Sequence, residues 1–331
     1  MHPGRFFGTG GFLTISYVMA LSMIELADLT RWPSLADQLS LAERLFGTRG
    51  RSLVHDWLAS EVDRIDNLAF AKLFTDHVSL PGVADADYAH RHIRSEAGEL
   101  IGGIRFYARD TSRPFVEIVA HSFAGAAPSD EELNRLCDCV RSEWSMFAPL
   151  DLRLRVAPGG VDHPAARTDV TIHAARHRDM TPPDGRVQMT PFADVEEAIE
   201  IVRDRYAHIT AHARDLARNI SPADPDDLRA WHDAAQLRAI VSEAATVGLL
   251  AIAPGSVAWI EGDEVNEEVV VATHGGQGYA VSAQAAWAAT MAQDRNRVLV
   301  GTIDRLNPAS RRSAERAGRP AVLEEIFLPL A

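Results

Sequence analysis

The stretch Glu267-Glu-Val-Val-Val-Ala-Thr-His-Gly-Gly-Gln-Gly-Tyr-Ala280 constrains the fold of this chain more than any other. Three successive valines read as a strand buried on both faces. Gly275, Gly276 and Gly278 then make a tight loop, and the apolar run from Val281 predicts a helix over 281–292. A glycine loop ending on a helix N-terminus turns several backbone N–H groups toward one point and adds the positive end of the helix dipole. That is a cradle for a phosphate or diphosphate. The loop lacks the Lys-Ser/Thr ending of a P-loop and the G-x-G-x-x-G spacing of a dinucleotide fold.

The surrounding pattern is that of an α/β chain in two similar halves. In the first, 34–46 and 52–74 have helical spacing, with Leu53, Trp57, Val62 and Ile65 able to share one face. Strands are expected at 88–94, 99–108 and 114–123. Ser129, followed by Asp, Glu and Glu, N-caps a helix to 147. A strand at 150–156 alternates Leu and Arg, and 170–174 reads as a short strand. Met180-Thr-Pro-Pro-Asp-Gly-Arg186 is the linker. The second half repeats the order. It has a strand at 187–190, a helix from the Asp194 cap to 213, and a helix over 224–244 with Pro225 in its first turn. Strands follow at 247–253, 257–260, 266–273, 297–303 and 323–328, with a short helix at 310–317.

After the strand at 297–303 comes Asn307-Pro-Ala-Ser-Arg-Arg-Ser-Ala-Glu-Arg-Ala-Gly318. With this second motif, residues 186–330 resemble the GNAT superfamily of acetyl-coenzyme A dependent N-acetyltransferases. The family loop, Q/R-x-x-G-x-G/A, falls on Gly275, Gly276, Gln277, Gly278, Tyr279 and Ala280. Its later N-x-x-S/A element falls on Asn307 and Ser310, with the following glycine at Gly318. The resemblance implies acetyl-coenzyme A as co-substrate, with no metal. It implies that the backbone of Val270, Val271 and Ala272 pairs with the pantetheine arm and that the loop amides hold the diphosphate. Asn307, with Ser310 nearby, would contact the arm. Arg311, Arg312 and Arg316 either meet the outer phosphates or form a solvated helix face with Glu315.

Two positions depart from the family pattern. Gly275 replaces the first Gln or Arg, which removes a side-chain donor. The tyrosine that many members use to protonate the departing thiolate falls at Ala314. Ser313, His274 or water can take that part, since a thiol of reference pKa ~8.5 is a tolerable leaving group.

On the acceptor side, Glu261, Asp263, Glu264, Glu267 and Glu268 lead into the cofactor strand. An amine of reference pKa ~10.4 must lose a proton before it attacks. Glu267 or Glu268 is the expected general base, and because neighbours on a strand point to opposite faces, only one should line a given cleft. The alternative for these acids is a solvated hairpin; an acidic rim would also draw a cationic acceptor.

The first half resembles the same fold weakly. Glu99-Leu-Ile-Gly-Gly-Ile-Arg-Phe-Tyr107 resembles the central hairpin, but the loop Ser122-Phe-Ala-Gly-Ala-Ala127 has one glycine and no basic residue. The expectation is therefore tandem GNAT-like acyl-CoA N-acyltransferase domains of α/β (α+β) class, each a mixed central sheet flanked by helices. Residues 1–30 would be a disordered leader, 31–180 a degenerate domain without a cofactor loop, and 186–331 the acetyltransferase domain.

Charge and cysteine content narrow the partners. The 331 residues carry 33 Lys and Arg against 46 Asp and Glu, a net −13, which argues against general nucleic-acid binding. No apolar run reaches the length of a membrane-crossing helix. Cys137 and Cys139 are the only cysteines, which fits neither a disulfide framework nor a soft-metal site. The helically spaced pairs His208/His212 and His173/His177 are read as surface or core histidines, not zinc ligands. The expected protein is cytoplasmic, with a homodimer as a candidate assembly, and acts on a small-molecule amine by direct attack in a ternary complex. The alternative is a non-catalytic acyl-CoA sensor or partner-binding protein on the same fold.

Overall fold

A computed structural model describes residues 26–78, 80–125, 128–290 and 294–330. The first half supplies helices α1 (Leu26–Leu29), α2 (Ala36–Phe46), α3 (Gly50–Val62) and α4 (Leu68–Thr75). A meander follows, of β1 (Arg91–Ser95), β2 (Gly98–Phe106) and β3 (Pro114–His121), and then α5 (Asp130–Glu143), β4 (Asp151–Val156) and β5 (Arg167–Arg176). The second half supplies β6 (Gln188–Thr190), α6 (Val195–His212), α7 (Arg214–Ala217), α8 (Pro225–Asp233), β7 (Leu237–Ser242), β8 (Ala245–Val257) and β9 (Ile260–Val270). It ends with α9 (Tyr279–Thr290), β10 (Val298–Asp304), α10 (Pro308–Arg316) and β11 (Ala321–Pro329).

The eleven strands among the described residues form one mixed sheet, ordered β1-β2-β3-β4-β11-β5-β10-β9-β8-β7-β6. Only β3 with β4 and β9 with β10 are parallel. Each parallel pair opens the same way, and the halves join by exchange. The final strand β11 lies between β4 and β5 of the first half, and β5 pairs with β10 of the second. Each half thus completes its sheet with the other's last strand, which leaves neither β4 nor β10 as an open edge. The linker runs between β5 and β6, as its composition indicates.

Helix starts follow local chemistry. Ser129 and Glu132 form a reciprocal capping box, and Asp194, Asp224 and Asn307 accept from the first turns of α6, α8 and α10. Several expected boundaries move. The span 52–74 is two helices, because Asp66 takes a left-handed conformation and Ile65 bridges His90. The span 224–244 is α8 followed by β7. Its hairpin turns on Glu243 and Ala244, both at positive φ, and neither residue type advertises such a turn. The strands expected at 247–253, 257–260 and 266–273 are two long strands that turn at Ala258, φ 53°. His173 lies on β5 and His177 in a 3-10 turn, so that pair shares no helix. Leu29 is fully buried, so residues 26–30 belong to the fold; the rest of the expected leader lies outside the described residues. No helix among the described residues is long and apolar enough to cross a membrane.

Candidate active site

Strands β9 and β10 pair only through Asp263 with Leu299 and Glu264 with Val300. Beyond that point they diverge. A bulge at Asn266 starts the divergence: Ile252 faces Val265 while Ala251 faces Glu267. A cavity of about 350 Å3 is lined by the far end of β9, the glycine loop, α10 and the C-terminal half of α6.

Both candidate bases line it. Glu267 points to the α6 face and is 7% exposed. The Tyr206 hydroxyl donates to its Oε1 at 3.3 Å and the Ala223 N–H to its Oε2 at 3.0 Å. Burial raises the Glu267 pKa, and those hydrogen bonds only partly oppose it. Burial, reinforced by the Glu267 carboxylate, raises the Tyr206 pKa as well. Glu268 points to the α9 face, where Gln284 Nε2 donates to both its oxygens at 2.9 and 3.0 Å. Burial raises its pKa too, against the pull of the Arg319 charge. The expectation that only one glutamate could reach the cleft fails for a physical reason. The gap passes through the sheet instead of lying on one face.

The loop is shaped by two left-handed glycines, Gly276 at φ 77° and Gly278 at φ 84°. Ser282 N–H donates to Gly278 O, so the N–H groups of Gly278, Tyr279, Ala280 and Val281 are the helix's orphan donors. Gly275, Gly276, Gly278, Tyr279 and Ala280 line the cavity; Gln277 does not. Val270 lines it as well. Val271 and Ala272 do not, because their backbones are engaged locally. Val271 N–H donates to Val247 O, and its carbonyl accepts from His274 N–H. The Ala272 carbonyl accepts from Gly275 N–H.

Asn307, Ser310, Ser313 and His274 also line the cavity. Asn307 Oδ1 accepts from Ser310 N–H at 3.1 Å and so caps α10. His274 meets the Tyr279 ring edge-on at 6.0 Å. Ala314 is fully buried beneath α10. Of the arginines expected near the outer phosphates, Arg312 and Arg316 line the cavity, while Arg311 donates to Arg305 O.

Sequence reasoning missed four residues here. Tyr206 and Arg205 reach the cavity from α6, and only the 3.6-residue spacing of Val202, Tyr206 and Ile209 marks that face. Arg186 ends the linker. It donates to Gln277 O at 3.0 Å and lies over the Tyr279 ring, so a cation stands beside the loop although Gly275 supplies none. Asp184 accepts from Ser282 Oγ at 2.7 Å and fastens the same turn.

In the first half, β3 and β4 pair at three positions before parting. The corresponding gap encloses only about 30 Å3, filled by His121, Leu133, Leu154 and Val161. Among the described residues no group of His, Cys, Asp and Glu is arranged to hold a metal.

No family model and no curated protein matches this chain. Similar solved structures include a GNAT-family acetyltransferase from Colwellia psychrerythraea, with TM-score 0.42 and 10% identity, covering 80% of this chain and 96% of that one. A GCN5-related N-acetyltransferase from Kribbella flavida gives TM-score 0.39 and 16% identity over 72% of this chain and 89% of that one. A tandem GNAT protein from the clavulanic acid biosynthesis pathway gives 0.37 and 11% over 79% and 87%. The parted strand pair, the glycine loop and the paired glutamates stand on this chain's own geometry. The three solved structures named are two GNAT-type acetyltransferases and a tandem GNAT protein.

Proposed function

We propose that the chain is an N-acyltransferase that moves an acetyl or short acyl group from acetyl-coenzyme A to the amine of a small cationic molecule. One observation carries this reading: a single cavity unites an unpaired strand edge, a glycine loop on a helix N-terminus and the carboxylates of the buried Glu267 and the half-buried Glu268.

The residues fit the co-substrate. A diphosphate suits the orphan amides of Gly278 to Val281, with Arg186, Arg312 and Arg316 close by. An amide-bearing arm suits the free edge of β9 at Val270, like an added strand. Asn307 and Ser310 stand beside that path. The bound thioester supplies an activated acyl group. Glu267 takes the proton of the arriving ammonium; burial raises its pKa and so makes it a stronger base than an exposed carboxylate. Tyr206 and Ala223 hold the carboxylate in one orientation. Glu268, fixed by Gln284, adds negative charge that favours a cationic acceptor. Ser313 and His274 line the same cavity as donors for the departing thiolate, and Tyr206 joins them because its hydroxyl stays protonated. Cys137 and Cys139 both sit on α5 in the other half with thiols pushed up by burial, which supports direct attack over an acyl-enzyme.

The buried Ala314 favours a second reading, a non-catalytic acyl-CoA sensor. Thiol release measured with a panel of amines separates the two. Turnover that falls in Glu267→Gln supports transfer. Calorimetric coenzyme A binding without turnover on any amine supports the sensor, and no coenzyme A binding overturns both.

A further inference from the structure

A second chamber, of about 550 Å3, lies in the first half under the tip of the β8–β9 hairpin. None of the residues lining it lines the candidate active site. Its size falls within the ~300–1,000 Å3 of small-molecule sites. The hairpin tip that roofs it is locked down. Trp259 Nε1 donates to Gln38 Oε1 at 2.9 Å, and Arg49 pairs with Glu261 at 2.6 Å.

The walls are unusual for a helix packed on a sheet. The first part of α3 buries Leu53, Val54 and Leu58, as a core-facing helix should. Its second part turns Trp57, Ser60, Glu61 and the following Arg64 toward the chamber, opposite Arg105, Glu117 and Arg155 of the sheet. Two inward polar surfaces with a void between them cost stability that an apolar filling would have supplied. The space is also deliberately shaped. A Cβ at Gly103 would stand 2.5 Å from the His90 ring, so glycine there lets that ring in.

The hydrogen-bond inventory indicates what the chamber takes. Arg64 donates to both oxygens of Glu61 at 2.8 Å, and Arg153 donates to Glu117 at 2.7 Å. His90 is 1% exposed, and its Nε2 faces Arg105 Nη2. Arginine is always a donor, so Nε2 accepts and the proton sits on Nδ1. That Nδ1–H lies 3.5 Å from Glu61 Oε2, too long for a well-formed hydrogen bond, and Arg155 Nε–H has no hydrogen-bond partner. The orphans are thus donors, which call for acceptor oxygens. The fixed charge is nevertheless mixed: guanidiniums of Arg64, Arg105 and Arg155 share the lining with carboxylates of Asp56, Glu61, Glu117 and Glu261. A simple anion would meet the carboxylates and a simple cation the guanidiniums. A dipolar molecule satisfies both.

We propose that this chamber binds a free α-amino acid, its carboxylate toward Arg105, Arg155 and His90 and its ammonium toward Glu61 and Glu261. The site is separate from the acyl-transfer cleft and does not depend on that reading. Because its roof comes from the second half, an occupant clamps the two halves together.

The test uses the full chain. Thermal shifts are recorded with each of the twenty proteinogenic amino acids at millimolar concentration, and with succinate and putrescine, which carry one type of charge only. Calorimetry then measures any binder on the wild type and on Ser60→Trp and Arg155→Ala. Ser60 is exposed at the mouth, so its tryptophan plugs the chamber without touching the core. The expected result is one or more amino acids raising Tm by mass action, with affinity about tenfold weaker in both variants and coenzyme A binding unchanged. No shift with any amino acid, equal binding in both variants, or succinate or putrescine binding as well as the amino acid would each overturn the proposal. If Arg155→Ala fails to fold, Ser60→Trp decides alone.

Discussion

Tyr206 Oη stands 3.3 Å from Glu267 Oε1, joining a helix to a strand 61 positions further along the chain across the mouth of the parted sheet. The tyrosine donates, and the carboxylate is left with one face toward the cavity. Replacing Glu267 by Gln should lower kcat by about 10²–10⁴-fold, the usual worth of a general base. In the wild type, activity should rise with pH through the raised Glu267 pKa, because only the carboxylate can take the proton. That acid limb should be absent from Glu267→Gln, as pH–rate profiles of the two proteins will show.

The glycine loop makes a separate prediction about binding. Gly278 sits at φ 84°, a conformation that costs a branched residue ~1–2 kcal/mol. Gly278→Val should weaken coenzyme A binding about tenfold or more while leaving the fold intact. Calorimetry with coenzyme A, alongside circular dichroism, checks both parts.

Two buried histidines predict acid sensitivity. Burial holds His90 down to about 3 and His121 down to about 4, against ~6.5 in an unfolded chain. Between those values the unfolded state binds protons that the folded state refuses. Their contribution is therefore complete above pH ~6.5 and is lost as pH falls toward 4, on the order of a few kcal/mol in total. His121→Leu should flatten this dependence, since His121 Nδ1 has no partner to lose. Urea denaturation at several pH values between 7 and 4 measures the slope.

The strand exchange predicts that the halves cannot be separated. Residues 186–331 alone leave β10 without β5, and residues 26–180 leave β4 without β11. Each piece expressed alone should aggregate or stay unfolded, while co-expression should restore a soluble complex. Size-exclusion chromatography of the three preparations tests this.

Much of the site was readable because its chemistry is local. The loop from Gly275 to Ala280 and the helix after it depend on a few adjacent residues, and short-range backbone preferences are enough to set them, whereas the cap that Asn307 gives α10 was not expected from the sequence. The placement of Arg186 was not readable, since a linker residue has no periodic neighbour to say what it faces. The helix expected over 224–244 misled for a related reason. An alanine-rich run satisfies helical spacing, and only pairing with β8 turns Leu237–Ser242 into a strand.

The amino-acid sequence by itself determined the helix starts capped by Ser129, Asp194 and Asp224 and the glycine loop, because each answers to preferences acting over a few residues. Tertiary structure alone decided that β5 and β11 change places, that both glutamates reach one gap, and that a polar chamber lies under a borrowed hairpin. Those outcomes depend on which distant strands pair and where a bulge shifts the register, and backbone hydrogen bonds are the same for every sequence.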